Sequence, residues 1–337
     1  MIRQISHDTG SLYKKVVSMK QGNGLGAPSD SRAVVVGGGT MGADVAVVLL
    51  RAACKTWVVE PRQEAHGEIR RKVHANLEAI GKPRNIELLQ TVCSIDDVDW
   101  SRIDLMIECV PEVLDIKRSL FKELAGKAPS SVILASNSSS FPISQIAEGL
   151  PTQGRMAGLH FFMPAHIVPL VEVVLGPDTD DATAQALTVF MRRCGSVPIL
   201  VRKDVPGFIA NRLQHALGRE AFSLIQEGIA SPEDIDAAVR FGFGFRYLAA
   251  GPIMQKEHAG LDVHAAAAAT IYPTLSNAAV PPPVLAGKPQ DGTIGMKSGK
   301  GFYEWTDETI LAEKQRYDRV LRAGLEILGD ELPKIDP

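Results

Sequence analysis

The chain has 337 residues, 45% of them hydrophobic and 22% charged, with a formal net charge of −3. This is enough apolar material for two cores in a soluble protein, and the slight negative balance excludes a general attraction to nucleic acid. No apolar run is long enough to span a membrane, and Cys54, Cys93, Cys109 and Cys194 form no C-x-x-C pair, which argues against a disulfide or zinc framework and for thiols kept reduced in the cytoplasm.

Residues 1–32 precede the first β-branched run and read as a flexible extension. Gly22-Asn23-Gly24-Leu25-Gly26-Ala27-Pro28 has linker composition. Asp8 and Asp30 among the bases do not suit a targeting peptide, and Met19 offers an alternative start. The run Ala33-Val34-Val35-Val36 predicts a strand. It ends in Gly37-x-Gly39-x-x-Gly42 and opens into a helix from about Gly42 to Ala53. In that context Gly37 permits a tight turn, Gly39 removes a Cβ from the path of a pyrophosphate, and Gly42 lets the helix pack on the strand. Thr40 and Met41 lie between them, where free backbone N–H groups receive phosphates. The next strand, 56–60, ends in Glu60, an acid placed to accept from the adenine ribose hydroxyls and to repel a 2′-phosphate. The site is therefore read as one for NAD, with Arg62 keeping NADP open.

A helix is expected over 63–80, ended by Lys82-Pro83. Strands follow at 88–92, 105–108, 132–135, 158–162, 170–174 and 197–201, with helices at 117–125 and 183–194. Strands alternating with helices imply an α/β domain of Rossmann type, with a mostly parallel sheet over residues 33–202. Residues 203–337 show no convincing strand and read as an all-helical domain. Helices are expected at 208–227, from the N-cap Ser231 and Pro232, at 264–269 and at 307–327, with Pro281-Pro282-Pro283 extended between them. Its apolar faces suit dimerisation, although a helical core gives the same pattern.

Four clusters carry candidate chemistry. Ala135-Ser136-Asn137-Ser138-Ser139-Ser140 follows a buried strand, and one hydroxyl there can bind a substrate oxygen or simply cap the next helix. His160 stands twelve residues before Glu172. If their strands are neighbours, the carboxylate orients the imidazole as a general base; otherwise His160 is a structural histidine. Asn211, in Pro206-Gly207-Phe208-Ile209-Ala210-Asn211-Arg212, can donate to a carbonyl oxygen or lie on a helix surface. Glu108 and Glu112 flank a strand end and suit either a nicotinamide ribose or a cap.

Taken together, these motifs make the chain resemble the L-3-hydroxyacyl-CoA dehydrogenase family over about residues 33–325. The resemblance rests on Val-Gly-Gly-Gly-Thr-Met-Gly at 36–42, Ile-Glu-Cys-Val-Pro-Glu at 107–112 and Ala-Ser-Asn-Ser-Ser-Ser at 135–140. It continues through Gly-Leu-His-Phe-Phe at 158–162, Pro-Leu-Val-Glu-Val-Val at 169–174, Pro-Gly-Phe-Ile-Ala-Asn-Arg at 206–212 and Gly-Lys-Gly-Phe-Tyr-Glu-Trp at 299–305. It implies an NAD-binding domain, a helical domain that forms a homodimer, and an acyl-CoA thioester substrate. It makes His160 the catalytic base and Glu172 its partner, with Ser139 and Asn211 on the substrate 3-oxygen. It places Gly37, Gly39, Thr40, Met41, Gly42, Glu60, Glu112, Lys117 and Asn137 at the NAD, and Asn76 and Lys82 at the CoA adenosine. No metal is needed, because the nicotinamide takes the hydride.

Two stretches depart from the family pattern. Met163-Pro164-Ala165-His166 stands where the family has Asn-Pro, which adds His166 as a competing base. Phe241-Gly242-Phe243-Gly244-Phe245-Arg246-Tyr247 is closer to L-gulonate and carnitine dehydrogenases, in which an arginine at the position of Arg246 suits a substrate carboxylate; a surface or cap role is the other reading. A CoA-free 3-hydroxy acid dehydrogenase is thus the alternative substrate reading, and a non-catalytic crystallin-like NAD-binding protein the rival of another class.

Overall fold

The structure, a computed structural model, describes residues 24–337; most of the expected N-terminal extension lies outside the described residues. Eight strands form one sheet: β1 (Arg32–Val36), β2 (Lys55–Val59), β3 (Leu89–Val92), β4 (Leu105–Glu108), β5 (Ile133–Ser136), β6 (Met156–Phe161), β7 (Leu170–Val174) and β8 (Val197–Val201). Their order is β3-β2-β1-β4-β5-β6-β7-β8. Every pairing is parallel except that of β6 with β7. The order reverses between β1 and β4, the kind of switch point at which such sheets hold ligands beyond their carboxyl ends.

The helices that cross between strands cover both faces. On one face α1 (Thr40–Arg51), α2 (His66–Ala79) and, further along the chain, α5 (Asp181–Arg193) share one buried cluster with Ala33, Val35 and Leu105. On the other, α3 (Leu114–Lys127) and α4 (Ile143–Ala147) bring Phe121, Leu124 and Ile146 against Val34, Val36 and Met106. The alternation Ala33/Val35 against Val34/Val36 is the two-residue period of a strand buried on both sides. Each fully buried Val or Leu contributes about 1.5–3 kcal/mol.

Local chemistry corrects several expected boundaries. The helix expected over 63–80 begins as a 3-10 turn at Gln63–Ala65 and is α-helical only from His66. Its stop is Gly81 rather than Pro83. Gly81 takes φ +72°, its N–H donates to the Glu78 carbonyl and the Lys82 N–H to the Leu77 carbonyl, a glycine-terminated C-cap. The helix expected from Phe208 starts at Ala210, because Gly207 and Phe208 both have positive φ (76° and 50°). That conformation costs a non-glycine residue about 1–2 kcal/mol; burial of the Phe208 ring offsets it. Pro283 is not extended but opens the short helix Pro283–Ala286, where its missing N–H costs nothing. The end of the expected linker is packed: Pro28–Asp30 forms a 3-10 turn, Pro28 is buried, and the Ser31 carbonyl accepts from the Cys54 thiol.

The described residues divide into two compact units, 24–206 with 333–337, and 207–332. The break falls a few residues after the expected 202, and the last residues return to the first unit, where Arg193 pairs with Asp336. The second unit contains α6 (Ala210–Gln226), the helices Pro232–Ala237, Leu261–Ile271 and Asp307–Leu328, and shorter turns. Ser231 caps the helix at Pro232 as expected, accepting from the Asp234 N–H. Within 207–332 Phe208 alone is buried. Among the described residues no helix is long and apolar enough to cross a membrane.

The tightest backbone approach in the first unit is at Gly42, where a Cβ would stand 1.8 Å from the Gly37 carbonyl oxygen. Gly42→Ala is expected to cost at least about 2 kcal/mol, read as a lower urea midpoint at unchanged slope.

Candidate active site

Residue His160 lies in β6 and Glu172 in β7, and the antiparallel register sets them directly opposite each other. Both side chains are buried, with His160 Nδ1 2.7 Å from Glu172 Oε2. A carboxylate can only accept here, so Nδ1 carries the proton and Nε2 presents its lone pair. Nε2 lies 3.0 Å from Ser139 Oγ, whose O–H donates to it. The Phe162 ring packs edge-on against the imidazole, centroids 4.6 Å apart. The result is a carboxylate, an oriented base and a hydroxyl in line, gathered from β7, β6 and the turn after β5.

That turn is held from beneath by charge. Glu108, the last residue of β4, is fully buried and accepts from the Ser136 hydroxyl (2.6 Å) and from the Lys117 ammonium (2.7 Å). Burial pushes the Glu108 carboxyl up, against the pull of Lys117 and Ser136. Glu112 takes Lys117 at 3.1 Å on one oxygen. Its other oxygen accepts from the Ser138 hydroxyl and from the N–H groups of Ser139 and Ser140 at 2.7, 3.0 and 2.8 Å. Burial raises the Glu112 carboxyl, but these donors outweigh it and hold it below the ordinary range. Asn137 ties the turn to β6, its Oδ1 accepting from the Phe161 N–H at 2.9 Å. Lys117, expected at the cofactor, is 1% exposed and already engaged by Glu108, Glu112 and the Val110 carbonyl. It lies under the turn, one layer below the serines that face His160.

The glycine turn fits a dinucleotide. Gly37 takes φ +107°, and a Cβ there would strike the Cys109 carbonyl at 2.5 Å. A Cβ on Gly39, by contrast, would meet nothing within 4 Å: the residue faces open space at the N-cap of α1, and no side chain caps the helix. The first-turn N–H groups of Thr40, Met41 and Gly42 have no intrahelical acceptor and make an anion site. Glu60 closes the far side. Its Oε2 accepts from the Gly38 N–H at 3.2 Å and its Oε1 from Arg62 Nε at 2.7 Å, and the Arg62 hydrogen bond holds its carboxyl below the usual range. Arg62 is itself largely exposed, so Glu60 remains the acid at the end of β2.

Asn76 is half-buried on α2, and Lys82 is exposed just beyond it. Asn211, near the start of α6, and exposed Arg246 belong to the second unit. His166 does not compete with His160 for Ser139: its Nδ1 faces Asp44 at 3.4 Å. Asp44 escaped sequence reading because the glycine motif ends at Gly42. An acid inside the apolar run Ala43-Asp44-Val45-Ala46 was the available signal.

Residues 32–205 match the family described as 3-hydroxyacyl-CoA dehydrogenase, NAD binding domain, and residues 207–305 match its C-terminal domain. The chain belongs to the 3-hydroxyacyl-CoA dehydrogenase family. It is an NAD-dependent oxidoreductase. A 5-formyl-3-hydroxy-2-methylpyridine 4-carboxylate 5-dehydrogenase of Mesorhizobium japonicum is 32% identical over 299 residues, 87% of this chain and 97% of that one. A probable 3-hydroxybutyryl-CoA dehydrogenase of Deinococcus radiodurans is 32% identical over 279 residues, 80% of this chain and 99% of that one. Among solved structures, one of a 5-formyl-3-hydroxy-2-methylpyridine 4-carboxylic acid 5-dehydrogenase, described as an NAD+ dependent dismutase, matches with TM-score 0.82 at 30% identity, covering 88% of this chain and 98% of that one.

Two substitutions separate cofactor from scaffold. Gly39→Ala, with free space around the new methyl, is expected to keep the wild-type melting temperature while weakening NADH binding, read by fluorescence titration. Lys117→Met leaves Glu108 buried and unpaired, and is expected to cost about 3–5 kcal/mol in a denaturant titration.

Proposed function

We propose that the protein interconverts a 3-hydroxyacyl-CoA and the corresponding 3-oxoacyl-CoA. The observation that carries this is the hydrogen-bonded line Glu172–His160–Ser139, in a chain whose two domains both match this family. The bound nicotinamide supplies the hydride acceptor. In oxidation the substrate hydroxyl displaces the Ser139 O–H from His160 Nε2 and gives its proton to that nitrogen. Glu172 stabilises the resulting imidazolium and keeps Nδ1 as the donor. Ser139 then donates to the substrate oxygen, where charge develops, and Asn211 is assigned the second donor. In reduction the imidazolium returns the proton. Thr40, Met41 and the glycines hold the cofactor phosphates, Glu60 the adenine ribose, and Glu112 and Asn137 shape the nicotinamide side. Asn76 and Lys82 are assigned to the CoA adenosine.

A CoA-free substrate bearing a carboxylate is the second reading. It is favoured by the 0.82 TM-score to an enzyme named for a pyridine carboxylate, and by Arg246, which is exposed and forms no ion pair among the described residues. A homodimer through residues 207–332 accounts for the scarcity of burial there: Phe241 and Ile253 are 74% and 75% exposed, with Phe245, Val263 and Tyr272 also open. Such a run of exposed apolar side chains marks an association surface. The four free cysteines support a reducing, cytoplasmic setting.

NADH oxidation with acetoacetyl-CoA, run beside free acetoacetate, tests the proposal. Turnover with the thioester alone is expected; turnover with neither, despite NADH binding, refutes it. His160→Ala is expected to lower kcat by about 10²–10⁴-fold with NADH affinity retained. Glu172→Gln, whose amide donates to Nδ1 and reverses the tautomer, is expected to lower kcat by a similar factor.

A further inference from the structure

A second buried histidine–carboxylate pair stands apart from His160. Asp44 is the fifth residue of α1, one turn beyond the N–H groups that receive the cofactor phosphates, and its side chain is 1% exposed. Side chains on a helix lean toward its N-terminus. The Lys72 ammonium confirms that lean, reaching Asp44 Oδ1 at 2.9 Å and the carbonyl of Thr40, the first helical residue, at 3.1 Å. A buried carboxylate in this place opposes the attraction of the helix end for an anion.

Two basic side chains stand against it. One is Lys72, from α2. The other is His166, on the connection between β6 and β7, whose buried Nδ1 faces Asp44 Oδ1 at 3.4 Å and makes no hydrogen bond. Burial pushes the Asp44 carboxyl up, but His166 and Lys72 together outweigh it and hold it below the ordinary range. Arg51, also from α1, is the other charged group at His166. Its Nη1 donates to the His166 carbonyl at 3.4 Å, while Nε and Nη2 are taken by the Cys194 carbonyl and the Ser196 hydroxyl. Arg51 therefore fixes the backbone of the connection and keeps its charge throughout. The connection itself, Phe162 to Pro169, carries no other ionisable side chain.

We propose that His166 is a positioning residue for the dinucleotide: its protonated ring, with Lys72, neutralises Asp44 and strengthens binding of the cofactor pyrophosphate at the N-terminus of α1. The inference rests on the NAD site at this turn. With His166 protonated, the Asp44–Lys72–His166 group carries a net positive charge; with the ring neutral it carries none. Cofactor affinity is therefore proton-linked and falls as pH rises through the histidine range. Linkage is reciprocal, so the bound pyrophosphate in turn favours the protonated ring.

The test is the Kd for NADH of the full-length protein, from nicotinamide fluorescence at about pH 6 and about pH 8.5, on either side of the histidine range. In the wild type Kd is expected to rise about tenfold between them, the change of one unit in a linked titration. Asp44→Asn removes the carboxylate that draws the proton onto the His166 ring, leaves Lys72 as the one charge of the group, and is expected to bind NADH tightly with little pH dependence. His166→Gln is expected to bind weakly at both pH values. A pH slope that arises from His160 survives in both variants, so persistence of the wild-type slope in Asp44→Asn overturns the inference even if His166→Gln does not fold. A flat wild-type profile overturns it as well. Absence of NADH binding at every pH overturns the cofactor site and this inference with it, whereas binding with an unchanged slope overturns this inference alone.

Discussion

A carboxylate reaches an imidazole inside the sheet because β7 runs back alongside β6 with Glu172 directly opposite His160. From β1 to β6 neighbouring strands run parallel and their carboxyl ends share one edge, whereas β7 and β8 run the other way. The single antiparallel pair turns the chain round within a few residues and fixes which two side chains meet. Side chains alternate faces along a strand, so a slip of one residue sends Glu172 to the opposite face and leaves His160 without an orienting partner. The tautomer follows from that register, and the direction in which Nε2 presents its lone pair follows from the tautomer.

The turn that brings Ser139 to the imidazole depends on charges buried one layer below. Lys117, Glu108 and Glu112 are costly to desolvate, and such a group stabilises only when its remaining donors and acceptors are met. Here they are: Ser136, Ser138 and the N–H groups of Ser139, Ser140 and Val110 take up the carboxylate oxygens. All three serines after Asn137 serve this scaffold: Ser138 gives its hydroxyl to Glu112, and Ser139 and Ser140 give their N–H groups. Ser139 spends only its N–H there and keeps its hydroxyl for His160. The acid–base line and the loop that completes it thus share one electrostatic foundation.

The dinucleotide end follows the same economy of charge. Glu60 is held ionised by Arg62 and the Gly38 N–H, and Asp44 by Lys72 and His166. Family membership and NAD dependence follow from the match of both domains, but the scaffold alone does not select between a thioester and a free acid.

The sequence by itself determined the strands, the glycine turn and the helical second half. Those features are local: β-branched runs, glycine spacing and 3.6-residue periodicity depend on neighbours in the chain. It also supplied His160, Glu172 and Ser139 as candidates, but not their contact, since a spacing of twelve residues is compatible with parallel or antiparallel neighbours. Only the tertiary structure decided that register. Only it set Lys117 in the buried layer beneath the turn and His166 against Asp44. These outcomes depend on which helix covers which strand, a long-range matter of packing that no local pattern records. The helix starts and stops that differed, at Gly81, Phe208 and Pro283, turn on backbone angles that the folded surroundings impose.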